Sequence, residues 1–276
     1  VVSDGSFVFF VFFLCLFTAV NPVATNANSG NITIAGSNIY SDSGKISIDA
    51  DNDVTIQEVK EKHESLVQTH KKKSGFLSSK TTDKLDYSLV NEVKGSTISG
   101  ESVDINSGKD LTVKGSNVVA TNDVTLHAEN DVSITSAQET GQDEHYKRVK
   151  KSGLFSGGGL GFTIGKQTTT TTTTTTLNEQ VKAEIGSTVG SITGNVNITA
   201  GNNVKSEGTL IASGQDTNII GKNVTVDNTT NTYDSQYKYE FKQSGLTVSL
   251  GGTAIDAGKS LAGDLNRAGE VQQKTK

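Results

Sequence analysis

The chain repeats itself at long range. Lys71-Lys72-Lys73-Ser74-Gly75-Phe76-Leu77-Ser78 returns as Val149-Lys150-Lys151-Ser152-Gly153-Leu154-Phe155-Ser156, and in reduced form as Phe241-Lys242-Gln243-Ser244-Gly245-Leu246-Thr247. The three serines, Ser74, Ser152 and Ser244, stand 78 and 92 positions apart. Shorter phrases keep the same order. Ile34-Ala35-Gly36-Ser37-Asn38 corresponds to Val113-Lys114-Gly115-Ser116-Asn117, and Asp51-Asn52-Asp53-Val54-Thr55-Ile56 to Glu129-Asn130-Asp131-Val132-Ser133-Ile134. Self-similarity at such a period is the mark of an array. Arrays mostly display surface, so the functional expectation moves toward interaction and away from chemistry.

Between the phrases, apolar residues alternate in short bursts. Ile32/Ile34, Ile46/Ile48 and Val54/Ile56 open the first unit. Val103/Ile105, Leu111/Val113, Val124/Leu126 and Val132/Ile134 follow in the second, and Val196/Ile198, Leu210/Ala212, Asn218/Ile220 and Val224/Val226 belong to the third. Each burst has period two, is rich in β-branched residues, and is bounded by Gly, Asn or Asp. The bursts recur too closely for a β-sandwich. An antiparallel barrel would want longer strands joined by hairpins. The pattern predicts an all-β chain folded as a right-handed parallel β-helix, with coils of roughly 20 residues stacked about 4.8 Å apart. The scarcity of proline, at one residue, suits a chain that is nearly all hydrogen-bonded sheet.

Three segments break the rhythm, at roughly 57–94, 138–186 and 229–252, and each contains a copy of the Lys-Ser-Gly element. They are predicted to be β-hairpin excursions projecting from the coils. The nine threonines Thr168–Thr176 form a return arm, on β-propensity. Leu85, Leu89 and Val93, and likewise Leu177, Val181 and Ile185, also allow a short helix at each return. The predicted organisation is a β-helix over 30–252, in units of about 30–95, 96–186 and 187–252. A tail or cap follows over 253–276, with a short amphipathic helix at 253–270. Residues 1–29 are predicted to lie outside the fold. Phe7 to Val20 is nearly continuous apolar chain and reads either as a signal-peptide core or as an upstream segment unrelated to the fold. The absence of Met, including at position 1, reads as a piece of a longer protein.

Composition narrows the chemistry. A net charge of −5 disfavours a nucleic-acid partner. The single Cys15 excludes an internal disulfide and a Cys-based zinc site. Asp49-Ala50-Asp51-Asn52-Asp53 begins like a calcium loop, but Val54 replaces the required Gly and Lys60 the closing Glu, so a solvated corner is expected. Gly157–Gly165 lacks the spacing of a phosphate-binding loop. His63, His70, His127 and His145 sit in charged stretches without a catalytic motif. β-Helical polysaccharide-cleaving enzymes need a carboxylate pair or an arginine base, and the coil bursts offer neither. The expectation is no enzyme, no catalytic residue, no cofactor and no metal.

The stretch Lys150–Gly165, Lys-Lys-Ser-Gly-Leu-Phe-Ser-Gly-Gly-Gly-Leu-Gly-Phe-Thr-Ile-Gly, resembles the haemagglutinin repeat of large secreted bacterial exoproteins. These include the filamentous haemagglutinins and the contact-dependent growth inhibition toxins. The Gly-Ser-Asn and Asn-Asp-Val-Thr-Ile phrases are similar to theirs, and the resemblance covers roughly 30–252. It implies a β-helical filament at the surface of a Gram-negative cell, exported by two-partner secretion through an outer-membrane transporter. In the growth-inhibition branch it implies help in carrying a C-terminal toxin across a neighbour's outer membrane. The alternative is the shaft of an adhesin that meets a host surface or matrix. Neither a secretion domain nor a toxin domain is visible in the sequence. From the residues themselves, the candidate surface toward a target envelope is Lys150, Lys151, Gly153, Leu154, Phe155, Leu160 and Phe162. It would make weak anionic lipid contact through its basic start and apolar contact thereafter. The competing reading of these lysines is a guarded strand edge.

Overall fold

The structure, a computed structural model, describes residues 7–8, 16–19, 22–158, 161–179 and 186–249. Its regular elements are all strands, and they divide into two compact units.

The first unit is a parallel β-helix with three sheets. One sheet stacks Phe7–Val8, Ile32–Ala35, Val54–Gln57, Leu111–Lys114, Val132–Thr135, Asn203–Glu207 and Asn223–Asp227. The second stacks Leu16–Ala19, Asn38–Ser41, Thr97–Gly100, Asn117–Ala120, Ser187–Ser191 and Thr209–Ala212. The third stacks Val23–Ala27, Lys45–Ala50, Ser102–Ser107, Val124–Ala128, Val196–Ala200 and Thr217–Ile220. The chain visits the sheets in rotation. Register advances by one coil between partners such as Leu111↔Val132 and Val204↔Val224.

Period-two alternation fixes which side chains face in. Ile48, Ile105, Leu126 and Ile198 are fully buried in one column, and Val54, Leu111, Val132 and Val204 in another. Each such side chain contributes about 1.5–3 kcal/mol by burial.

The repeated phrases turn out to be the corners. In the Gly-Ser phrase, Ser37, Ser96, Ser116 and Ser187 are buried in a ladder. The backbone N–H of Ser37 donates to Ser96 Oγ, that of Ser96 to Ser116 Oγ, and that of Ser116 to Ser187 Oγ. Gly36 and Gly115, just before two of these serines, have φ of 54° and 53°, which glycine adopts without a Cβ penalty. In the Asn-Asp-Val phrase, the acidic or amide side chain holds the adjacent coil. Asn31 Oδ1 accepts the N–H of Asp53, Asp53 Oδ1 that of Asp110, Asp110 Oδ1 that of Asp131, and Asp131 Oδ1 that of Asn203. Asp53, which looked like part of a calcium loop, is therefore a rung of this ladder.

Each of the three long segments is inserted after a strand of the first sheet: after Val54–Gln57, Val132–Thr135 and Asn223–Asp227. They form the second unit, one five-stranded sheet. Its strands, in spatial order, are Val59–Ser74, Ser78–Lys94, Glu139–Gly158, Gly161–Glu179 and Thr232–Ser249.

The structure departs from the sequence reading in three places. In Thr209–Ala212 and Thr217–Ile220 the side chains packed against the core are Ile211 and Ile219, while Leu210, Ala212, Asn218 and Ile220 are exposed, so the alternation there runs one residue out of the expected phase. Part of the segment expected outside the fold is paired into it. Val23–Ala27 joins Lys45–Ala50, Leu16–Ala19 joins Asn38–Ser41, and Phe7–Val8 joins Ile32–Thr33. Val23, Thr25 and Ala27 alternate with period two and meet the inward positions Ile46, Ile48 and Ala50; the long apolar run before them hid that signal. Leu85, Leu89 and Val93 lie in one strand, not a helix. A spacing of four keeps residues on one side of a strand as well as on one side of a helix. The helix expected over 253–270 lies outside the described residues, as do Val181 and Ile185.

Candidate functional site

The three copies of the Lys-Ser-Gly element lie in the five-stranded sheet, whose side chains alternate between two faces. Hydrogen bonds identify what shares the first face. Arg148 donates from Nε and Nη2 to Asp83 Oδ2 at 3.1 and 2.9 Å, and His70 Nδ1 lies 2.6 Å from Asp83 Oδ1. Hydrogen bonding from His70, then from Arg148, holds the Asp83 carboxyl below the ordinary aspartate range. A carboxyl with a lowered pKa stabilises the sheet above the ordinary range. That contribution is lost as pH falls through the lowered value.

On this face a trough of about 430 Å³ runs along the threonine strand. Thr168, Thr170 and Thr172 are its floor. Tyr146, Arg148 and Lys150 form one wall, and Lys238, Glu240 and Lys242 the other. Lys238 pairs with Glu240 at 3.1 Å, and its hydrogen bond lowers the Glu240 pKa. Lys242 adds a weaker Coulombic attraction to the same Glu240. By alternation, the same face continues toward the hairpin ends with Leu154, Phe162, Ile164, Leu246 and Val248. All five are exposed, Ile164 at 52% and Leu246 at 65%. A basic trough and an apolar band thus lie end to end on one side of the sheet.

The residues singled out from the sequence do not form one surface. Lys150, Leu154 and Phe162 lie on the trough face. Lys151 and Phe155 lie on the other, where Lys151 Nζ sits 5.9 Å from the Phe155 ring centroid, a cation–π contact. Successive residues of a strand point in opposite directions, so the pair Lys150-Lys151 cannot act as one patch. Gly153 has φ of 93°, and a Cβ there would stand 2.1 Å from the Leu77 carbonyl oxygen. It permits close strand approach and presents no surface of its own. Leu160 lies outside the described residues.

Sequence reasoning missed Lys242, Lys238 and the trough. The signal was present in the repeat. The residue two before the serine is lysine in all three copies, Lys72, Lys150 and Lys242, while the residue one before is Lys73, Lys151 and Gln243.

A family model described as the hemagglutinin repeat matches residues 18–150 and 78–184. The chain is 39% identical over 233 residues to a protein named tRNA nuclease CdiA from Escherichia coli strain STEC_O31, a match covering 84% of this chain and 7% of that protein. It is 35% identical over 233 residues to tRNA nuclease CdiA-2 of Burkholderia pseudomallei strain 1026b, covering 84% of this chain and 7% of the relative. It is 38% identical over 214 residues to a 16S rRNA endonuclease CdiA of Enterobacter cloacae, covering 77% and 6%. The chain therefore spans a small part of the length of these relatives. No solved structure matches it.

Proposed function

The chain belongs to the hemagglutinin-repeat family, and from that premise we propose that it is a non-enzymatic segment of a secreted contact-dependent growth inhibition exoprotein. In this reading it is exported through an outer-membrane two-partner-secretion transporter and displayed at the surface of a Gram-negative cell. Its role is to help move a C-terminal toxin across the outer membrane of a neighbouring cell. The cargo would be an RNA-cleaving domain of the kind that the relatives' names describe.

The observation that carries this reading is the trough face. Cationic side chains draw the sheet to an anionic envelope, and the adjoining apolar band of Leu154, Phe162, Ile164, Leu246 and Val248 gives a place for lipid contact. Two hairpins and the single described strand Thr232–Ser249 supply one sheet, which suits assembly of β structure at a membrane, where unpaired edges are costly. A single chain offers too few strands to close such a structure, so its contact is weak and reversible.

The test is flotation of the 276-residue chain with outer-membrane vesicles. We expect modest binding that weakens with salt, as screening requires. Leu154→Ser, Phe162→Ser and Ile164→Ser together should reduce the floated fraction at least about threefold, since each apolar side chain removed from lipid forfeits on the order of 1 kcal/mol. Undiminished flotation of the triple variant would favour the adhesin-shaft alternative.

A further inference from the structure

The trough has a chemistry of its own. Its two walls carry four cations, Arg148, Lys150, Lys238 and Lys242. Arg148 is occupied by Asp83, and Lys238 is paired with Glu240. Lys150 and Lys242, both exposed, stand on the strands flanking Thr168, and Lys242 is drawn to Glu240 only by a Coulombic attraction weaker than the Lys238 hydrogen bond. Two strand spacings separate them, about 9.5 Å. Two lysine side chains at that separation can converge on one anion held above the threonine hydroxyl. Further along the floor, Thr170 and Thr172 offer hydroxyls at about 6.7 Å intervals, and the Tyr146 ring lines one wall. Hydroxyls in a row beside an aromatic ring suit a sugar ring, with hydrogen bonds to its edge and an apolar face against its carbons. In the other direction along the strands comes Lys166, exposed on the same face by alternation, and then the apolar band. One face therefore offers an anion site and a row of sugar-binding groups in the trough, with apolar contact beyond them.

We propose that the trough binds the phosphorylated sugar headgroup of a membrane glycolipid. The phosphate sits between Lys150 and Lys242 over Thr168, the sugar that carries it lies along the threonine row, and the acyl chains that the sugar also carries meet the apolar band of Leu154, Ile164 and Leu246. The inference rests on the membrane-contact reading and names its ligand. Repetition strengthens it. Lys72 shares this face with His70 by alternation, and His70 is tied to Asp83 and Arg148. Thr81 lies between Ser79 and Asp83, which meet Ser152 and Arg148, so it stands opposite Lys150. The row across the sheet is thus Lys72, Thr81, Lys150, Thr168, Lys242. Each copy of the repeat adds one lysine to it, and a longer array would present the same anion site many times over, with the gain that multivalency gives.

The test compares flotation of the full 276-residue chain on three phosphatidylcholine vesicles. One carries a phosphorylated diglucosamine lipid, one the same lipid without its phosphates, and one phosphatidylglycerol at the surface charge of the first. Binding to the phosphorylated glycolipid should exceed binding to either other vesicle by about tenfold, the worth of one charge-assisted hydrogen bond. Lys150→Gln with Lys242→Gln should abolish that excess. Lys71→Gln with Lys147→Gln removes the same charge from the opposite face and should preserve it. All four positions are exposed, and unchanged circular dichroism would establish that the variants fold. Equal binding to phosphatidylglycerol and glycolipid, or equal losses in both lysine pairs, would overturn the trough site and leave membrane contact standing. Equal binding with and without phosphate would overturn it as well. Failure to bind any vesicle, together with failure on outer-membrane vesicles, would remove both readings.

Discussion

Ile134→Asp unfolds the coil stack, whereas Val226→Asp leaves its stability nearly unchanged. The two positions belong to one inward column, Ile34, Ile56, Val113, Ile134, Ser206 and Val226, through successive parallel pairings. Ile134 is fully buried with coils on both sides, while Val226, in the last described coil, is 69% exposed. An aspartate at 134 loses the burial of an isoleucine and places a carboxyl in the apolar cluster that holds Val113 and Val132. The combined cost is on the order of 5 kcal/mol. That is a large part of the 5 to 15 kcal/mol that ordinarily separates folded from unfolded chains. Val132→Asp should behave in the same way. At 226 the carboxyl stays in water, and the change should be within about 0.5 kcal/mol. Urea unfolding of the variants measures both. Equal midpoints for Ile134→Asp and the parent would mean that this column does not face a core.

The second large effect concerns the hairpin sheet. Gly153→Val should open it while the coil stack stays folded. A Cβ at Gly153 meets the Leu77 carbonyl oxygen at 2.1 Å, and the backbone there has φ of 93°, a region closed to a β-branched residue. Strain and overpacking together cost about 2–5 kcal/mol. The recurrence of the element has the same physical cause at Gly245, where φ is 134° and a Cβ would stand 2.2 Å from the Ile164 oxygen. Gly190→Ala is the contrast, since the nearest atom to its Cβ would be 3.6 Å away. Limited proteolysis should cut Gly153→Val rapidly within 140–177, with the strands Ser102–Ser107 and Val124–Ala128 intact. Cleavage of Gly190→Ala should match the parent. A Gly153→Val chain as resistant as the parent would show that the sheet tolerates a side chain at this crossing.

Much of the fold was legible because its signal is local. Val124/Leu126 and Val132/Ile134 alternate over a few residues, and burial on one side is the only arrangement that satisfies them. The corner phrases were visible as repeats, but their roles were not. That Asp131 takes the N–H of Asn203 depends on a contact across 72 positions, which no local pattern reports. The reach of the strands was underestimated at the N-terminal side, where continuous hydrophobicity masked the alternation of Val23, Thr25 and Ala27. The candidate surface was half legible. Basic and apolar residues around Lys150 were recognised, yet they were grouped by adjacency in sequence. A strand sorts them by parity instead, sending Lys150 and Leu154 to one face and Lys151 and Phe155 to the other. Lys242, distant in sequence, shares the trough with Lys150. Only the sheet order, with Thr232–Ser249 next to Gly161–Glu179 and that strand next to Glu139–Gly158, puts them together.

The central claim is that the hairpin sheet, and not the coil stack, meets the target envelope. Hydrogen–deuterium exchange of the chain with and without outer-membrane vesicles tests it most directly, because exchange reports protection segment by segment. The account predicts added protection in Glu139–Gly158, Gly161–Glu179 and Thr232–Ser249, with unchanged exchange in Ser102–Ser107, Val124–Ala128 and Val196–Ala200. Protection confined to the coil strands, or none in either unit, would contradict it.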